Sequence, residues 1–261
     1  MPLRIGVAAT APLGADVLER LAEQHEVSWL LTRPDSPQGR GRRLAPPLAK
    51  VVAEQLGIPV YQPDRPDLPA EVDRVVVCAY GLYIPPRLLE RSVWLNVHPS
   101  LLPRWRGAAP VERTILAGDE WTGVTIHETV AELDAGPVAA QEPFEVEALD
   151  AGQVFARSAE VAARLLGQVI ESPAFEPQVE DGVTYAEKIT AADRELNLED
   201  PLDSWRRVRA LSPHIGARGE LHGRRVTVWK AGFEDGTFVP EVVQPDGRNQ
   251  MTYDEFLRGL R

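Results

Sequence analysis

Cysteine is almost absent: Cys78 is the only one in 261 residues. A lone thiol excludes an internal disulfide and any zinc site built from several cysteines. Long apolar runs are also missing, and none approaches the ~20 residues that span a bilayer. No charged and apolar leader opens the chain. Met-Pro-Leu-Arg-Ile-Gly-Val passes straight into a strand pattern, the start of a protein without a signal peptide. Gly6-Val-Ala-Ala-Thr lacks the further glycines of a phosphate-cradling loop, which argues against a dinucleotide cofactor. No cluster has metal-ligand spacing. Positive charge is in deficit: 28 Lys and Arg against 39 Asp and Glu leave −11, which opposes a protein that coats nucleic acid. The expectation is a soluble, cytoplasmic, monomeric protein with no metal and no membrane partner.

What is present is globular in balance, with 44% hydrophobic and 26% charged residues. At ~150 residues per domain the length allows one or two domains. The 23 prolines and 20 glycines fall between periodic segments and read as turns. Strands are expected at 3–9, 26–31, 58–61, 73–78, 93–97 and 122–130, with 136–146 extended. Helices are expected at 14–24, 46–56, 109–117 and 151–171. Strands and helices alternating in this way predict an α/β, Rossmann-like parallel sheet. The site of such a sheet lies beyond the carboxyl ends of its strands, here the loops after Leu31, Cys78 and Val97. Composition changes near Ser172. Residues 1–171 are expected as the catalytic domain, 172–190 as a linker and 191–261 as a small β-rich domain. That last part holds a helix at 201–211, a hairpin turning at His222-Gly223 and a closing helix at 252–260.

Positive charge gathers in two islands. Residues 33–50 carry a net +4 and residues 205–230 a net +6. Such islands on an acidic body suggest a polyanion touched at defined places. The Gly-Arg-Gly-Arg-Arg tract at 39–43 has no packing use. The second island also suits an edge strand that carries basic residues to block aggregation.

Asn96 and His98 end an apolar strand two residues apart, so their side chains share one face. An imidazole can take a proton from an attacking amine, and a carboxamide can donate to an oxyanion. Together they suggest acyl transfer or hydrolysis. Cys78 reads as a packed apolar residue. His127 lies mid-strand, where a cross-strand or surface role outweighs catalysis, and His25, His214 and His222 look structural. Trp105 suits either base stacking or a packed anchor.

The loop continues Ser100-Leu101-Leu102-Pro103-Arg104-Trp105-Arg106-Gly107-Ala108-Ala109-Pro110 and leads on to Gly123-Val124-Thr125-Ile126 and Leu133-Asp134-Ala135-Gly136. With Pro34-Asp35, Ala79-Tyr80-Gly81-Leu82 and Tyr185-Ala186-Glu187-Lys188-Ile189, this string resembles the folate-dependent formyltransferases, and among them the methionyl-tRNA formyltransferases. The resemblance covers essentially the whole chain. It implies Asn96, His98 and Asp134 as the catalytic set. It implies Ser100, Leu101, Leu102 and Pro103 at the tetrahydrofolate site, with Ala79, Tyr80, Gly81 and Leu82 against the pterin. Arg40, Arg42 and Arg43 would grip the tRNA acceptor stem, Arg40 foremost. The donor would be 10-formyltetrahydrofolate and the acceptor initiator methionyl-tRNA. A C-terminal OB-like barrel would touch the tRNA.

Two departures stand out. Ala8-Ala9-Thr10-Ala11-Pro12-Leu13-Gly14 replaces the family's Gly-Thr-Pro-x-Phe start. The C-terminal part is short, so its barrel is expected to lack strands. Two other activities share the same centre: formyl transfer to a nucleotide-linked amino sugar, and hydrolysis of formyltetrahydrofolate. An RNA-binding protein with a decayed site is a further reading, which the intact triad opposes.

Overall fold

The structure is a computed structural model that describes residues 3–38 and 43–260. It divides into two compact units. The first comprises residues 1–106, 123–143 and 156–184; the second comprises 107–122, 144–155 and 185–261. Both are therefore assembled from three stretches of chain, in place of the expected cut near residue 171. Residues 172–183, expected as a linker, belong to the first unit.

The chain opens with β1 (Arg4–Ala9), α1 (Pro12–Ala22) and β2 (Glu26–Leu31). The loop expected from Thr32 to Leu44 contains a small hairpin, β3 (Ser36–Gln38) and β4 (Arg43–Ala45), paired antiparallel. Then come α2 (Leu48–Gln55), β5 (Val60–Tyr61), β6 (Arg74–Cys78), the short α3 (Pro86–Leu89) and β7 (Val93–His98). β8 (Arg106–Gly107), α4 (Pro110–Ala117), β9 (Trp121–Glu128), β10 (Val138–Glu145) and α5 (Ala151–Val169) follow. The remainder holds β11 (Tyr185–Ala186), a 3-10 turn at Ala192–Arg194, α6 (Pro201–Leu211), β12 (Ala217–Leu221), β13 (Arg224–Glu234), β14 (Thr237–Pro245), β15 (Met251–Thr252) and α7 (Tyr253–Arg258). Among the described residues no helix is long and apolar enough to cross a membrane.

The main sheet has the order β10-β9-β7-β6-β1-β2-β5. The pairs β5·β2, β2·β1, β1·β6 and β6·β7 are parallel. The β7·β9 pair is antiparallel, so the expected α/β sheet is parallel-dominated and mixed. β1 and β6 are buried almost throughout, as strands covered on both faces must be. One apolar layer gathers Trp29, Leu31, Val75, Val77, Tyr80, Leu88 and Trp94. The two indoles sit there with their N–H groups satisfied, Trp29 donating to Ala70 O (3.2 Å) and Trp94 to Leu88 O (2.9 Å).

In the second unit the strands form an open antiparallel sheet of order β12-β13-β14-β15. The hairpin at His222-Gly223 joins its first two strands, as its turn residues predict. β12 and β15 are left as edges, in line with a barrel short of strands. Thr252 and Glu255 form a capping box that starts α7.

Gly6 lies directly beside Trp29 on the neighbouring strand. A methyl group there would fall 2.2 Å from the buried indole. Gly6→Ala should therefore lower the unfolding free energy by about 1–3 kcal/mol, the usual cost of overpacking. Urea unfolding monitored by tryptophan fluorescence measures it, and an unchanged midpoint would contradict this account of the sheet.

Candidate active site

β6 and β7 run parallel and stop side by side, with Val77 opposite Asn96. Their next loops, 79–82 and 99–105, thus leave the same sheet edge, as the rule for open α/β sheets requires. The antiparallel neighbour β9 adds a second set of side chains. Asn96 lies opposite His127, and His98 opposite Thr125. Residues directly opposite in an antiparallel pair point to the same face. Four polar side chains therefore share one face of the sheet edge.

Asp134 completes the group from the loop after β9. Its carboxylate is only 12% exposed. One oxygen accepts from Asn96 Nδ2 at 3.2 Å and the other lies 3.7 Å from His98 Nδ1. Asn96 Nδ2 is also 3.0 Å from His127 Nε2. The two imidazoles meet edge to face, 6.2 Å apart. Asp134 adopts a positive φ of 47°, a left-handed conformation that Asp tolerates better than most residues. Gly136 lets the same loop close: a Cβ there would fall 1.8 Å from Glu128 O.

Backbone carbonyls set both tautomers. His98 Nε2 lies 2.8 Å from Trp105 O, which can only accept, so Nε2 carries a proton, while Nδ1 faces Asp134. His127 Nδ1 lies 2.8 Å from Glu128 O, so Nδ1 carries the proton and Nε2 accepts from Asn96. Burial, reinforced by the neighbouring His98, pushes the His127 pKa down to about 4, against the pull of Asp134. His127 is therefore neutral near pH 7.

The expected catalytic trio of Asn96, His98 and Asp134 is thus brought together. His127, given a cross-strand or surface role from sequence, takes the cross-strand one, opposite Asn96, and is buried inside the group. Its signal was the pairing of β9 with β7, which only the register reveals.

The expected folate residues separate into two kinds. Ser100 is fully buried and its hydroxyl donates to Arg104 O at 2.7 Å. Leu102 is buried, with its N–H on Thr125 Oγ1 and its carbonyl on Gln141 Nε2. Leu101 packs over Gly123. The Tyr80 ring is sunk in the apolar layer, and burial pushes its hydroxyl pKa up to about 12. Ala79 and Gly81 are exposed, while Leu82, Leu101 and Pro103 are half-buried, Leu82 packing against the apolar layer. Cys78 is buried, as expected of a packed residue.

Of the basic loop, Arg40 and Arg42 lie outside the described residues, and Arg43 is exposed at the start of β4. The base of that loop is braced. Lys50 Nζ reaches Asp35 at 2.9 and 3.0 Å and Gln62 Oε1 at 3.0 Å, and Gln62 donates to Asp35 and to Arg33 O. In the second island, Arg209 is buried against the Glu147 and Leu149 carbonyls and under the Trp205 ring. Arg207 pairs with Asp203, and Lys230 with Glu241. Part of that island is therefore structural.

Comparison with known proteins agrees with this geometry. A family profile described as "Formyl transferase" matches residues 4–170. This chain belongs to the formyl transferase family. It is 41% identical to the methionyl-tRNA formyltransferase of Novosphingobium aromaticivorans, over 98% of this chain and 97% of that protein. It is 36% identical to the enzyme of the same name from Cereibacter sphaeroides, over 99% and 96% respectively. HypX from Aquifex aeolicus, solved in complex with tetrahydrofolic acid, shares the fold at a TM-score of 0.69 and 18% identity. That match covers 98% of this chain and 47% of HypX.

The low His127 pKa has a consequence for stability. Unfolded, the imidazole regains its ordinary value of 6.5, so between about pH 6.5 and 4 the unfolded chain binds the proton first. Stability is full above that window and falls as pH drops through it. From pH 7 to pH 5 this one group should remove about 2 kcal/mol. Urea unfolding of His127→Gln should show that much less pH dependence than the unsubstituted protein. Equal dependence in both would place His127 in a less buried setting.

Proposed function

We propose that this chain transfers the formyl group of 10-formyltetrahydrofolate to the α-amino group of methionyl initiator tRNA. The observation that carries the reading is His98 Nδ1, held 3.7 Å from the Asp134 carboxylate at the sheet edge. Support comes from the near-complete overlap with methionyl-tRNA formyltransferases at 36% and 41% identity.

Ala79, Gly81, Leu82, Leu101 and Pro103 would hold the folate, since their side of the two loops keeps some exposure while Ser100, Leu102 and Tyr80 are buried. When bound, the folate supplies a formyl group on nitrogen and leaves with a proton in its place. The chain's residues divide the rest of the work. A neutral amine that attacks a carbonyl carbon gains positive charge and must shed a proton. His98 Nδ1 takes it, Asp134 stabilises the resulting imidazolium, and His98 then gives the proton to the departing folate nitrogen, which restores the neutral ring. The carbonyl oxygen gains negative charge at the same time, and Asn96 meets it. Both Asn96 N–H groups are engaged in the present arrangement. The longer bond, to Asp134, is the one released to the substrate oxygen. His127 keeps the other and fixes the amide plane.

The acceptor requires a grip on a polyanion. Arg40, Arg42 and Arg43 supply it from the hairpin loop whose base Lys50, Asp35 and Gln62 brace.

Asn96→Ala and His98→Ala should each lower kcat by about 10²–10³-fold, the usual cost of an oxyanion donor or a general base. Formylation of methionylated initiator tRNA with 10-formyltetrahydrofolate measures this. Near-normal turnover in both variants would overturn the mechanism. Efficient transfer to a nucleotide-linked amino sugar, with none to methionyl-tRNA, would overturn the acceptor. Arg40→Ala should raise the KM for tRNA and flatten its salt dependence while leaving the KM for folate unchanged. An unchanged tRNA KM would remove the loop from the interface.

A further inference from the structure

The segment 172–184 has few apolar residues, yet it binds closely to both loops that carry the catalytic groups. Glu176 and Val138 exchange backbone hydrogen bonds of 2.7 and 2.9 Å, which fixes the register of the segment. Two residues on, the Gln178 side chain uses its whole amide. Nε2 donates to Asp134 O and to Gly136 O, both at 2.8 Å. Oε1 accepts from Arg106 Nε at 3.1 Å and from Arg106 Nη2 at 2.7 Å. Arg106 directly follows Trp105, whose carbonyl holds His98 Nε2. At the end of the segment, Thr184 accepts from Trp105 N at its hydroxyl and from Arg106 N at its carbonyl, each at 2.9 Å.

We propose that Gln178 is a positioning residue for formyl transfer: bridging Arg106 to the Asp134–Gly136 backbone, it fixes the Asp134 carboxylate against His98 Nδ1. The inference rests on the formyl-transfer reading above and deepens it. Asp134 holds a positive φ that few residues adopt without outside support. The peptide carbonyls on both sides of Ala135 point at one amide nitrogen, so the turn cannot swing without breaking two hydrogen bonds at once. On the other side, the guanidinium holds the Gln178 oxygen in a two-point grip, which prevents the amide from flipping. The Trp105 carbonyl that orients His98 and the turn that carries Asp134 are thereby tied through a single side chain. An amide is the only side chain of this length that both accepts from a guanidinium and donates to two carbonyls.

Gln178→Glu is the discriminating variant. A carboxylate keeps the Arg106 contact and loses both donors, so it faces the Asp134 and Gly136 carbonyls without a proton. Misplacing a catalytic group by ~1 Å costs up to about 100-fold in rate. The expected result is a kcat lower by about 10- to 100-fold, with KM for folate and for tRNA unchanged within about threefold. The acid limb of the pH–kcat profile should also shift, because the carboxylate that stabilises the imidazolium has moved. A purely structural role would lower the melting temperature and leave that limb in place. If Gln178→Glu does not fold, Gln178→Met, which fills the same space without donating, carries the same test. Crystal structures of the unsubstituted protein and the variant add a readout independent of activity: the Asp134 carboxylate should move away from His98 in the variant. A kcat within twofold of the unsubstituted protein, or an unmoved carboxylate, would overturn the proposal. Failure of the unsubstituted protein to formylate methionyl-tRNA would overturn the acceptor reading alone, and the carboxylate position would still decide the role of Gln178.

Discussion

The site depends on one strand pairing, the antiparallel join of β9 to β7. On its own, β7 presents only Asn96 and His98, an amide and an imidazole two residues apart. β9 places His127 opposite the first and Thr125 opposite the second. Each addition has a separate effect. His127 accepts one Asn96 proton and sets the plane of that amide. Thr125 holds the following loop: its hydroxyl donates to Ser100 O and accepts from Leu102 N. That loop in turn delivers the Trp105 carbonyl that fixes His98. A parallel neighbour in the place of β9 would have left the strand-end residues without these partners.

The main sheet was largely legible because its signals are local. Short β-branched runs gave the strands, and three-and-four spacing gave the helices. The part of the site carried by one strand was legible for the same reason, since Asn96 and His98 declare their shared face by spacing alone. His127 was not, because residues 122–127 are buried on both faces and show no alternation. Its meaning lies in which residue it opposes, and that is a matter of register between strands far apart in sequence. The segment 172–183 was misread as a linker for a related reason. It is held by a backbone bridge and one amide side chain, and neither leaves a hydrophobic period. The direction of β9 and the division into units have the same origin. They arise from where the chain returns, and composition does not record that.

The two basic islands show why a charge count is only a first approximation to a binding surface. Lys50 belongs to the first island by number, yet its charge is taken up by Asp35. Arg209 belongs to the second, yet it is buried beneath backbone carbonyls, and desolvation lowers its pKa to about 10. These cations shape the unit that carries them and have little field left for a distant phosphate. Arg43, exposed at the start of β4, has no such claim on it from the packing around it.

The same division of labour separates the two histidines. They are within 6.2 Å of each other and both are buried, yet they carry their protons on opposite nitrogens. The choice is made by main-chain carbonyls, Trp105 O for one and Glu128 O for the other. Had His98 carried no proton at Nε2, that nitrogen's lone pair would meet the Trp105 carbonyl oxygen and the two would repel. Had His127 been protonated at Nε2, two N–H groups would meet at Asn96 Nδ2 and the amide would have to turn over. Turned over, Asn96 would present its oxygen to the Asp134 carboxylate, and the two would repel. The contacts therefore assign a proton to His98 Nε2 and to His127 Nδ1. The geometry of the cluster is therefore fixed less by its own side chains than by two peptide carbonyls, Trp105 O on the loop that Thr125 holds and Glu128 O at the end of β9.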